Sequence, residues 1–292
     1  MKTLSLSLMN AVLLAILLAC KGPETTVPTV QPPVVVAPPV STTTVPGVVT
    51  PVARKLVWAD EFDKNGLPDS TKWGYDVGGN GWGNNELQFY TKERKENARI
   101  EKGNLIIEAH KESYQGRNYT SARLLTQKTA TWRYGRMEVR AKLPSGLGTW
   151  PAIWMLGENI PTAGWPLCGE IDIMEHVGYE EGVVHGTLHT EAYNHGKGTQ
   201  KEGKTTVPTA TSAFHVYAID WTRNQIDFYV DDQKYYSMNA QTTGGTQQQW
   251  PFTQPFFMIL NLAVGGNWGG QKGVDERIWP QRMEVDYVRV YQ

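Results

Sequence analysis

From residue 54 to residue 292 apolar and polar side chains alternate with a period of two, and Gly, Asn, Asp or Pro interrupts the alternation about every ten residues. A strand shows successive side chains to opposite faces, whereas a helix needs a period of 3.6. The clearest alternating segments are 104–109, 135–141, 226–230 and 285–290, and no segment carries a long helical period. The chain is therefore expected to fold as an all-β sandwich. Asp231-Asp232, set between Tyr229-Val230 and Lys234-Tyr235-Tyr236, reads as a hairpin turn because Asp tolerates the left-handed backbone that a tight turn demands. No internal repeat and no second domain are visible.

The first 53 residues read differently. Lys2, the apolar run 13–19 and then Cys20 follow the order of a charged region, a hydrophobic region and a cleavage point, and the run is too short to remain as a membrane span. Residues 1–19 are read as a signal peptide. Leu17-Leu18-Ala19-Cys20 resembles a bacterial lipobox, which makes Cys20 the acylated first residue of the mature protein and predicts a secreted cell-envelope lipoprotein, held to the membrane through that lipid alone. Residues 20–53 are then an extended Pro-, Thr- and Val-rich linker, because Pro supports neither helix nor sheet ladders. With Cys20 lipidated, Cys168 has no partner, so the domain at 54–292 must stand without a disulfide.

The stretch that carries chemistry is Gly169-Glu170-Ile171-Asp172-Ile173-Met174-Glu175-His176. On a strand Glu170 and Asp172 share one face while Ile171 and Ile173 enter the core. The next acid comes one residue late, and a β-bulge at Ile173-Met174 would return Glu175 to the acidic face. Glu170 and Glu175 would then lie about four strand steps apart, roughly 13 Å between Cα atoms. Side chains leaning together would leave about 5–6 Å, the spacing of a retaining glycosidase pair and short of an inverting one. Glu170 would be the nucleophile and Glu175 the general acid/base, with the charge of Asp172 raising a neighbour's pKa. A solvated acidic strand face is the alternative. Three adjacent carboxylates repel, however, with no basic residue among them, and aromatic residues surround the segment.

The same segment resembles the signature of family-16 glycoside hydrolases in its bulged form. Trp58-Ala59-Asp60-Glu61-Phe62, the blocks 83–90, 150–157 and 257–268, and Val285-Asp286-Tyr287-Val288-Arg289-Val290-Tyr291 resemble the laminarinase branch in the same order. That resemblance, which covers about Leu56 to Tyr291, implies a β-jelly roll of two curved antiparallel sheets with the glycan in a concave cleft. It also implies an endo-β-1,3-glucanase that takes β-1,3-glucan and possible mixed-linkage β-1,3-1,4-glucan, with Asp172 as assisting acid. Rival readings are an agarase- or carrageenase-type galactan hydrolase, a transglycosylase, and a glycan-binding protein without catalysis.

Substrate contacts are expected from aromatic rings, which stack on the apolar faces of sugars. All eleven Trp lie between Trp58 and Trp279. Trp150 and Trp154, four apart on one strand face, and Trp165 form the expected sugar platform, with Trp268 at the cleft rim. Asn85, Arg123 and Asn261 fall where similar enzymes reach sugar hydroxyls. His189 is assigned a hydrogen bond to sugar or to Glu175, for His176 and His185 packing is as good a reading as a polar role, and a zinc pair of His185 and His189 is set aside for want of ligand spacing. No cofactor is expected for catalysis. One structural Ca²⁺ is expected from the resemblance, at Glu61, Gly103 and Asp286. With 28 Lys and Arg against 29 Asp and Glu the chain has no field to draw nucleic acid, and a monomer acting on a neutral polysaccharide is expected.

Overall fold

Where the period-two pattern runs, strands form. The computed structural model describes residues 54–292, so the signal peptide, Cys20 and the linker lie outside the described residues. Among the described residues the strands are β1 (Leu56–Asp60), β2 (Gly74–Tyr75), β3 (Gln88–Tyr90), β4 (Ala98–Glu101), β5 (Asn104–Tyr114), β6 (Arg117–Ser121), β7 (Arg123–Leu125), β8 (Gly135–Lys142) and β9 (Thr149–Gly157). They continue with β10 (Glu170–Glu175), β11 (Val183–His189), β12 (Lys201–Thr206), β13 (His215–Trp221), β14 (Gln225–Val230), β15 (Gln233–Asn239), β16 (Phe256–Val264) and β17 (Gln281–Tyr291). Helix is confined to α1 (Ile160–Ala163), α2 (Ala240–Thr243) and one 3-10 turn, His195–Lys197.

The strands make two sheets. The smaller runs β12-β11-β10-β9-β16-β7-β2, and the larger runs β15-β14-β13-β8-β17-β5-β6-β3, with β1 added to β17 and β4 to β5. Pairing is antiparallel, as expected, except at the edge between β3 and β6, which are parallel. The jelly-roll expectation otherwise holds. Asp231 and Asp232 form the β14–β15 turn with φ of 49° and 63°, the left-handed values the sequence called for.

The core lies between the sheets and is filled by alternate residues of both. Ile153, Met155, Ile171, Leu188, Leu260 and Leu262 enter it from the smaller sheet, and Met137, Val139, Ile219, Phe228, Val285 and Val288 from the larger. Cys168 is free and buried, and burial pushes its thiol up to about 12, so it contributes volume rather than reactivity. With one face of β9, β10, β11 and β16 committed to this core, the intervening residues must face outward together.

Candidate active site

Those outward residues line a cleft of about 680 Å³ across the smaller sheet. Strand β10 contributes Glu170, Asp172 and Glu175. Against β9 its register runs Asp172 to Trp154 and then Met174 to Ile153, so Ile173 is the extra residue and the expected bulge is present. The bulge puts both Ile173 and Met174 in the core, at 1% and 0% exposure, and returns Glu175 to the cleft beside Asp172.

Each acid is held by a named partner. Trp165 donates its indole N–H to Glu170 Oε2 at 2.8 Å, and Trp150 donates to Glu175 Oε1 at 2.9 Å. His189, paired in register with Glu170, brings Nε2 to 3.3 Å from Asp172 Oδ2 and 3.8 Å from Glu170 Oε1. The histidine therefore serves the Glu170 and Asp172 end of the row and lines the cleft, where a bond to sugar or to Glu175 was expected. His185 is buried and has charged partners besides. It lies between Glu202 and Glu180, opposite Glu175 in the β10–β11 register, with Trp268 edge-on at 4.9 Å. His176 does pack, fully buried, and accepts from the Gly182 amide.

Burial is the largest influence on the acids. It pushes Glu170 up to about 8, assisted by the charge of Asp172 and opposed by His189 and the Trp165 bond. It pushes Glu175 up to about 7, opposed first by the Trp150 bond, and raises Asp172 well above the usual carboxylate range, assisted by the charge of Glu175. The row therefore retains protons near neutrality. The contact between Glu170 and Asp172 raises Glu170 and lowers Asp172, so the proton they share favours Glu170. His189 and the Trp165 donor favour the Glu170 carboxylate that a nucleophile needs, while Glu175 has a proton to give.

The platform residues are partly as expected. Trp150, Trp154, Trp165 and Trp268 all line the cleft, with Trp268 edge-on to Trp150. Asn261 accepts from Trp154 Nε1 at 2.7 Å and donates to Tyr90 Oη at 3.1 Å. Arg123 lies 2.9 Å from Asp76 and stacks on Trp82 and Trp154. Asn85 is the exception. It is exposed and donates to Asn267, and its neighbours Asn84 and Glu86 face the cleft instead, because the chain turns at Asn85 with φ of 56°.

Several lining residues had no role assigned from sequence. Glu86 is buried and accepts from Gln88 and Tyr90, and burial raises its pKa. His195, on the short 3-10 turn, lies 4.9 Å from the Trp165 ring at 31°, and forms a wall beside Glu170. Glu86 stands inside the 83–90 block, so its acidity in a run of polar amides was the available signal. His195 carried no signal, since a loop sets its position.

The residues expected to hold calcium do not present a ready site. The Glu61 carboxylate is gripped by Arg289 through two bonds of 2.8 Å, and Asp286 is paired with Arg140 at 2.5 Å. A cation would have to displace Arg140 from Asp286, which leaves backbone oxygens at Glu61 and Gly103 as the donors not already facing an arginine.

The description "Glycosyl hydrolases family 16" belongs to the family model that matches residues 85–289. A beta-glucanase of Rhodothermus marinus is 60% identical over 243 residues, covering 82% of this chain and 85% of its own length. The X-ray structure of the laminarinase from Rhodothermus marinus superposes with a TM-score of 0.80 at 59% identity, over 82% of this chain and 97% of that one. A third similar protein is SCLam, described as a non-specific endo-beta-1,3(4)-glucanase, with a TM-score of 0.79 and 50% identity over 83% of this chain and 92% of that one. The matched structure of a SCLam variant presents 1,3-beta-D-cellobiosyl-glucose at its active site.

Proposed function

The chain belongs to glycosyl hydrolase family 16, and from that premise we propose that it is a retaining endo-acting β-1,3-glucanase whose nucleophile is Glu170 and whose acid/base is Glu175. The observation that carries the reading is the bulged strand β10, which sets buried Asp172 and half-buried Glu170 and Glu175 on one face inside a tryptophan-lined cleft. The glucan lies along Trp150, Trp154 and Trp165, with Asn261 and Arg123 among the hydroxyl contacts. Glu175 protonates the leaving oxygen as Glu170 attacks the anomeric carbon, which splits one difficult displacement into two. Glu175, now a carboxylate, draws a proton from water, and that water releases the sugar with its configuration kept. The Trp165 indole holds Glu170 in place throughout.

No cofactor enters this chemistry. The finer expectation of a structural calcium at Glu61, Gly103 and Asp286 requires Arg140 to release Asp286, and its measure is the melting temperature in calcium against chelator. Attachment of the enzyme to the bacterial envelope through Cys20, and its action as a monomer, belong to the same reading.

The test is product release from laminarin, mixed-linkage glucan, agarose and carrageenan, with the anomer of the first product read by NMR. The expected result is short β-configured oligosaccharides from laminarin, lost in Glu170→Gly and restored by azide as an α-glycosyl azide. Primary cleavage of the galactans would overturn the substrate, and an α-configured first product from the unaltered enzyme would overturn the retaining roles.

A further inference from the structure

Glu170, Asp172 and His189 offer three potential ligand atoms that all lie within 4.8 Å of one another, and the residues come from two adjacent strands held in register. A tetrahedral zinc ion with bonds of about 2.0–2.1 Å sets its ligand atoms about 3.3 Å apart. The His189 Nε2 to Asp172 Oδ2 distance is 3.3 Å and the Nε2 to Glu170 Oε1 distance is 3.8 Å, so two edges of such a polyhedron are present within half an ångström. Asp172 Oδ2 is buried with no hydrogen-bond partner, in a residue only 2% exposed, and it faces His189. An unpaired buried carboxylate oxygen costs free energy until something satisfies it, and a cation does so directly.

We propose that Glu170, Asp172 and His189 bind a borderline divalent transition metal, zinc or copper(II), and that this metal reversibly inhibits the enzyme. The ligand set, one imidazole and two carboxylates, selects against calcium and magnesium, which take oxygen ligands in larger number. Inhibition follows from chemistry at one atom: the metal accepts the Glu170 lone pair that would otherwise attack the sugar. The open side of the site faces the cleft, so water or a sugar hydroxyl completes the coordination. His189 Nδ1 has no protein partner to orient the ring, and an absent outer partner typically lowers metal affinity by about 10–100-fold. Binding is therefore reversible by chelator and weaker than in a structural zinc site.

The experiment is calorimetric titration of the metal-free chain with zinc chloride, which requires no substrate and so stands or falls separately from the glucanase reading. One ion per chain is expected, with a raised melting temperature that EDTA reverses. His189→Gln and Asp172→Asn should each weaken binding more than tenfold, whereas His185→Gln and His110→Gln, checked by circular dichroism, should leave it within twofold. If one of the first pair fails to fold, the other carries the comparison. Absence of zinc and copper binding, or binding unchanged in the folded member of that pair, would overturn the site. In the enzyme assay zinc should slow laminarin hydrolysis, and full activity at saturating bound zinc would overturn the inhibition.

Discussion

Glu175 keeps its proton chiefly because it is buried, and the Trp150 indole that holds it works in the opposite direction by favouring the carboxylate. An acid raised from its ordinary value of 4.5 to about 7 binds more protons in the folded chain than in the unfolded one throughout that interval. Stability is then lost as pH climbs through the interval, because linkage makes the side with fewer bound protons gain. A shift of this size corresponds to about 3 kcal/mol at alkaline pH, spread in practice over the coupled row. Glu175→Gln should therefore raise the melting temperature at pH 8 and leave it nearly unchanged at pH 4. In the unaltered enzyme kcat/KM should fall on the alkaline side of about pH 7, where the general acid is lost. A pH series of thermal melts and initial rates checks both, and equal stabilisation at the two pH values would remove the burial argument.

At the scale of elements the bulge in β10 does two things at once. It restores Glu175 to the cleft face, and it adds Met174 to the core, fully buried. Truncation to Ala there should cost about 2–5 kcal/mol by loss of contacts and cavity formation. Strand β11 is constrained from behind by its glycine. A Cβ on Gly186 would meet the Phe228 ring at 2.6 Å and the Tyr235 hydroxyl as well, so the sheets approach closely beneath His185 and Thr187. Gly186→Ala should destabilise the domain and displace both residues, since overpacking typically costs about 1–3 kcal/mol. Denaturant melts measure the two costs. A midpoint unchanged in Met174→Ala would mean that the bulge tolerates a void.

For the molecule as a whole, the net charge of −1 leaves association with a neutral polymer to the aromatic cleft, not to steering. The proposed placement of the domain at a bacterial envelope rests on Cys20. In a bacterial host, the chain should take up radiolabelled palmitate and sediment with membranes, and Cys20→Ser should abolish both while the soluble form keeps its rate on laminarin. Equal sedimentation of the two forms would remove the lipid anchor. The larger sheet carries a cross-strand pair of opposite charge, Arg140 with Asp286, and Arg289 of β17 grips Glu61 just beyond β1. Such surface pairs are individually weak, about 0–1 kcal/mol, so stability rests on the core between the sheets.

The period of two, the late acid after Ile173 and the tryptophan spacing were enough to give the fold class, the bulge and the row Glu170, Asp172, Glu175. Each is a local property, fixed by which face of a strand a residue must occupy. The partner of His189, the bracket around His185, the stack of His195 on Trp165 and the exclusion of Asn85 in favour of Glu86 were decided only by tertiary structure. In those cases, the contact joins residues from separate strands or loops, and register and loop path set the distance. The proton affinities belong in part to the same class. Three acids on one strand face already called for a raised pKa beside Asp172, but the larger cause, enclosure by Trp150, Trp165 and the walls of the cleft, is tertiary.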